Sequence, residues 1–166
     1  MPLLRLLCIL SCFICTASWA TSSNDFLAQQ QFDAKAMKAL WLTAEQQAAI
    51  AAILSHPYAG VRIRYWLDDD RLAFVLNEIG KELPITFGVV VGPNGIHHMD
   101  VLVFRESRGD EIKADGFRQQ FVHAQLTEEG GLTQTIDGIS GATYSVRSMT
   151  KVAKLALYLQ QQIQQP

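Results

Sequence analysis

Asp137-Gly138-Ile139-Ser140-Gly141-Ala142-Thr143-Tyr144-Ser145 leads into a segment with a helical period. Val152, Leu155, Ala156, Leu159 and Ile163 fall on one face, and Arg147, Lys151, Lys154 and Gln161 on the others. That spacing predicts an amphipathic helix. Small and hydroxylated residues crowd its start, so a loop should deliver the chain to a helix N-terminus with free backbone N–H groups. Such an end suits an anion. The orphan N–H groups and the positive end of the dipole favour a phosphate, and Gly141 and Ala142 leave it room to approach. Arg147 and Lys151 are mildly disfavoured in the first half of a helix unless a negative group lies nearby. A Ser/Thr-rich helix start is also an ordinary N-cap, and local chemistry leaves both readings open.

The composition frames this segment. The chain has 166 residues, 49% of them hydrophobic, enough for one domain with a real core. Its formal charge of −2 is spread along the chain, which argues against a nucleic-acid partner. Residues 1–20 read as a secretory signal: Arg5 in the n-region, an apolar run from Leu6 to Cys15, and Ser18-Trp19-Ala20 as the cleavage site. Cleavage after Ala20 and a periplasmic or extracytoplasmic location are expected, with an uncleaved membrane anchor as the alternative. Cys8, Cys12 and Cys15 all lie in this segment, so the mature chain, 21–166, has no cysteine. Disulfides, thiol redox chemistry and iron–sulfur ligation are then excluded. Loss of Arg5 takes the formal charge from −2 to −3.

Thr21 to Gln31 reads as a loose polar lead-in. Asp33 to Trp41 reads as a short helix with Met37, Leu40 and Trp41 on one side. A capping-box pattern at Thr43-Ala44-Glu45-Gln46 opens another, which buries Ile50, Ile53 and Leu54 and stops at Pro57. Strands follow. Val61 to Leu67 alternates, Asp68-Asp69-Asp70 turns, and Arg71 to Asn77 returns. Ile85 to Val91 and Ile96 to Phe104 flank the turn Pro93-Asn94-Gly95. Asp115-Gly116-Phe117 opens a short helix, with Phe117 and Phe121 one turn apart. Leu132 to Ile136 is expected as the last strand, and Gln160 to Gln165 as a frayed helix end. The fold expected is α+β: an antiparallel sheet of about four to five strands packed with N-terminal helices and a C-terminal helix. His97 and His98 are adjacent on a strand and face opposite sides, so no metal site is expected.

The run Asp137-x-x-Ser140-Gly141-Ala142-Thr143 resembles the flavinylation motif of the FMN-binding domain family. That family includes subunits of the sodium-pumping NADH:quinone oxidoreductase and of the Rnf electron-transport complexes. Glu106-Ser107-Arg108-Gly109 occupies the place of the family's glutamate-containing turn, often Glu-Thr-Pro-Gly, and the hairpin before it is also similar. The likeness covers roughly 88–159. It implies that a flavin transferase takes FMN from FAD and esterifies its phosphate to Thr143. Asp137, Ser140, Gly141 and Ala142 would surround the acceptor, and Glu106 and Gly109 would lie against the cofactor. Trp66, Tyr144 or Trp41 would stack on the ring.

No nucleophile–base or paired-carboxylate pattern stands out in the mature chain, so flavin would supply the redox chemistry. The role implied is electron carriage between membrane or periplasmic donor and acceptor proteins, rather than turnover of a specific substrate. A module that binds FMN non-covalently, and a secreted interaction domain without redox chemistry, remain as alternatives.

Overall fold

A computed structural model describes residues 22–164. The signal-like segment 1–20 and Gln165 lie outside the described residues. Among the described residues, no helix is long and apolar enough to cross a membrane.

The elements run α1 (Ser23–Gln29), β1 (Met37–Trp41), α2 (Ala44–Leu54), β2 (Arg62–Asp68), β3 (Arg71–Ile79), β4 (Pro84–Gly92) and β5 (Gly95–Val103), then α3 (Asp115–Arg118) and α4 (Thr143–Gln164). Short 3₁₀ turns at Asp110–Lys113 and Gln119–Phe121 flank α3. The five strands form one antiparallel meander in chain order, which is the α+β architecture expected. Two-residue turns join β2 to β3 and β4 to β5, and Gly95 takes φ +90 at the end of the second.

Both faces of the central strands are covered. On the inner face α4 and α2 bury Ile50, Leu54, Met149, Val152 and Leu159 against Phe74, Phe87 and Val89. On the outer face Phe26, Leu27 and Phe32 cover Ala73, Val90 and Leu102. This explains the apolar run of β4, in which every residue after Pro84 is buried: a strand covered on both faces has no polar side to alternate with. Gly88 completes the fit, because a Cβ there would meet the Phe26 ring at 2.7 Å.

Four expectations are corrected. The lead-in at 21–31 contains α1, whose Phe26 and Leu27 are fully buried. A capping box nucleates it: Asp25 N–H donates to Ser22 Oγ at 3.1 Å, and the Asp25 carboxylate accepts from Ser22 N–H. The spacing Ser22-x-x-Asp25 was the available signal. The helix expected at 33–41 ends instead in β1, paired from Met37↔Trp66 to Trp41↔Arg62. Cross-strand pairing overrides the helical propensity of Met-Lys-Ala-Leu.

Leu132 to Ile136 forms no strand, only an isolated bridge between Leu132 and Leu126. The segment that includes His123 and Ala124 already bonds both backbone groups of Ile96, at 2.7 and 3.0 Å, and so occupies that edge of β5. The glutamine-rich end is not frayed through Gln164. Gln46 Nε2 donates to Gln162 Oε1, and Gln164 Nε2 to the Asp70 carbonyl, both at 3.1 Å.

Phe26→Ala should cost about 3 kcal/mol or more, the usual range for emptying a buried aromatic site. Urea denaturation of the full chain reads this, and a shift below about 0.5 kcal/mol would be the response of a loose lead-in instead.

Candidate flavin site

Three segments distant in sequence meet at the start of α4: the turn after β3, the turn after β5, and the loop 137–142. They enclose a cleft of ≈ 500 Å³ whose lining includes Lys81, Glu106, Arg108, Gly141, Ala142 and Tyr144.

Thr143 is the first residue of α4 and is exposed. The residue in the capping position before it is Ala142, which is buried and has no side-chain oxygen to offer. Its N–H donates to the Ile139 carbonyl, and its carbonyl accepts the first helical bond, from Val146 N–H, both at 3.0 Å. Among the described residues, neither a backbone nor a side-chain acceptor is found for the backbone N–H groups of Thr143, Tyr144 and Ser145. The ordinary-cap reading therefore fails here, since no Ser or Thr oxygen closes this helix end. An uncapped first turn offers its N–H groups and dipole to an anion. Gly141 approaches with φ +84, and a Cβ on it would meet nothing within 4 Å.

The other predicted residues separate by role. Asp137 and Ser140 are exposed on the loop outside the cleft, and Asp137 N–H donates to Gln120 Oε1 at 2.8 Å. Gly109 is buried beneath the helix start. It takes φ +93, and a Cβ there would lie 2.4 Å from Ser145 Oγ. Glu106 faces the cleft, but its Oε1 accepts from Glu82 N–H at 2.6 Å and Leu83 N–H at 2.9 Å. The Leu83 and Glu82 amides hold its carboxyl below the usual carboxylate range. Its work is to fix the 80–83 turn that forms one wall.

Of the three aromatic residues considered, only Tyr144 lines the cleft. Its ring is half exposed, with the Arg147 guanidinium 5.9 Å from the centroid. Trp41 and Trp66 lie on β1 and β2, and Trp66 Nε1–H donates to the Ala34 carbonyl at 3.1 Å. Lys151 is also engaged elsewhere. Its Nζ donates to the Leu54 carbonyl at the C-terminal end of α2, and it lies 3.4 Å from buried Glu78. Lys81 and Arg108, which sequence reasoning did not single out, are the cations of the cleft. Arg108 stands at the proline position of the family turn, and that departure was the available signal. Among the described residues, no cluster of three or more His, Cys, Asp or Glu is placed to hold a metal.

A helix start without a side-chain cap, open to a cleft in which Lys81 and Arg108 stand against Glu82 and Glu106, with an aromatic at its side, defines a module suited to a phosphorylated cofactor. Residues 80–158 match the model of the FMN-binding domain. No curated protein matches the chain. The matched stretch runs from the end of β3 through most of α4 and takes in the cleft. The protein is thus an FMN-binding flavoprotein. The residues present fit the group: a cleft in the small-molecule range, N–H donors of a first helical turn, Arg108, Lys81 beside Glu82 at 3.5 Å, and a ring at the mouth.

Glu106→Gln should destabilise the protein at neutral pH, with the difference fading in acid. A carboxylate whose folded pKa is depressed contributes stability above its unfolded value of about 4.3, and that contribution is lost as pH falls through the folded value. Denaturation midpoints of wild type and variant should therefore differ at neutral pH and converge below the carboxylate range. A difference that persists there would point to a contact independent of charge.

Proposed function

We propose that this chain is an exported electron carrier that holds FMN covalently, through a phosphoester to Thr143. The observation that carries the reading is the uncapped start of α4, with an exposed threonine hydroxyl at its first position. When bound, flavin supplies the electron transfer. The chain supplies attachment and surroundings. Thr143 Oγ forms the new bond to the FMN phosphorus of FAD, the FAD pyrophosphate bond breaks, and AMP leaves. The hydroxyl proton passes to the flavin transferase, because an unassisted threonine hydroxyl is a weak nucleophile. Exposure of Asp137 and Ser140 on the loop, and of Thr143 at the helix start that follows it, leaves them within reach of such an enzyme.

The N–H groups of the first turn, with Arg108 and Lys81, would hold the phosphodiester. Tyr144 stands where it can lie against the ring. A covalent tether suits a location outside the cytoplasm, where dissociated FMN would be lost. Electron donors and acceptors would then be membrane or periplasmic proteins.

The test is intact mass and in-gel fluorescence on the full chain, exported from cells that contain a flavin transferase. An added FMN mass on the peptide with Thr143, retained after denaturation and absent in Thr143→Ala, is expected. Flavin that co-purifies but is released on denaturation would replace this reading with non-covalent binding. A colourless protein of unmodified mass would favour an interaction domain.

A further inference from the structure

The sheet does not stay closed along its length. The β2–β3 ladder runs from Asp68↔Arg71 to Tyr65↔Phe74 and ends there. Meanwhile β1 stays with β2 as far as Trp41↔Arg62, and β3 stays with β4 as far as Ile79↔Pro84. The β1–β2 ribbon thus peels away, leaving a cleft of ≈ 360 Å³ lined from both strands. It shares no lining residue with the cleft at α4's start.

Its chemistry is two-sided. Ile63, Leu76 and Leu155 of α4 are buried and form an apolar floor. Arg62 and Arg64 are exposed at the mouth. No acidic residue lines the cleft, and neither guanidinium takes part in any ion pair among the described residues. Arg62 rests on Trp41, 5.6 Å from the ring centroid. Beyond Phe74, the backbone groups of β3 that face β2 have no ladder partner. Such groups need water or a ligand to bond with.

We propose that this opening is a binding site for a small organic carboxylate with an apolar body. Guanidinium groups match a carboxylate in shape and charge. The floor takes the apolar body, and the volume lies in the range of small-molecule sites. An inorganic anion would leave the floor unfilled, and a neutral apolar molecule would leave both guanidiniums without a partner.

The test is NMR titration of the isotope-labelled full chain with hexanoate, hydrocinnamate, hydrocinnamide and inorganic phosphate. The reporters are the Trp66 indole N–H and the amides of 62–66 and 74–77. Both carboxylates should saturate at millimolar concentration or below and move these signals together. The amide and phosphate should bind roughly tenfold more weakly, the cost of an absent charged hydrogen bond or an absent apolar contact. Arg64→Gln, an exposed substitution, should weaken hydrocinnamate by a similar factor, whereas Arg108→Gln should leave it unchanged. The proposal is overturned if neither carboxylate saturates, if the amide or phosphate binds as well, or if binding survives loss of both Arg62 and Arg64.

Discussion

The start of α4 packs closely on residue 109, which has no side chain and a positive φ. Gly109 holds a left-handed backbone under Ser145, and its α-carbon side faces Ala142 as well. A Cβ there would force the Ser145 hydroxyl aside and crowd its Cβ at 3.3 Å, and the positive φ would be strained in any residue but glycine. Two further links lock the same corner. Glu106 closes the 80–83 turn through backbone N–H groups, and Ser148 Oγ donates to the carbonyl of Ile79. Together these contacts bring the ends of β3 and β5 to the first turns of one helix. Thr143 owes its position to the three of them, not to its own motif.

The sheet behind this corner is a two-sided object. Helix α4 rests on β3, β4 and β5 from within, and α1 seals the outer side of the same strands. Burial on both faces makes the centre rigid and independent of side-chain alternation. The cover stops at β2, and there the sheet parts. Arg62, Arg64 and Trp41 stand on the uncovered portion, beside a slot that reaches down to α4. A chain of slightly negative charge therefore presents two arginines without an acidic neighbour at the split in the sheet, whereas the cleft at the start of α4 balances Lys81 and Arg108 against Glu82 and Glu106. Local charge, not net charge, governs which anions each opening attracts.

Much of the fold was legible because its signals are local. The alternation at Val61–Leu67, the turn residues at Pro93-Asn94-Gly95, the capping box at Thr43 and the stripe from Val152 to Ile163 each report the chain's own geometry. The motif from Asp137 to Thr143 was legible by resemblance. What the sequence misled about were segments whose state depends on a partner. Met37–Trp41 has helical composition and becomes a strand because β2 offers it a ladder. Leu132–Ile136 has strand composition and stays irregular because the edge of β5 is already taken. Phe26 and Leu27 look isolated in a polar lead-in until the outer face of the sheet gives them something to cover.

The sequence by itself determined the class of fold, the amphipathic helix and the threonine-bearing motif at its head. Periodicity, turn chemistry and the absence of cysteine in 21–164 are properties of the chain alone. Only the tertiary structure decided that Ala142 leaves the helix start uncapped, and that Tyr144, rather than either tryptophan, borders the cleft. It also set Glu106 to bracing a turn and opened the slot between β2 and β3. These outcomes depend on which remote backbone groups reach one another. Hydrogen bonds between residues twenty or more positions apart leave no period in the sequence from which they can be read.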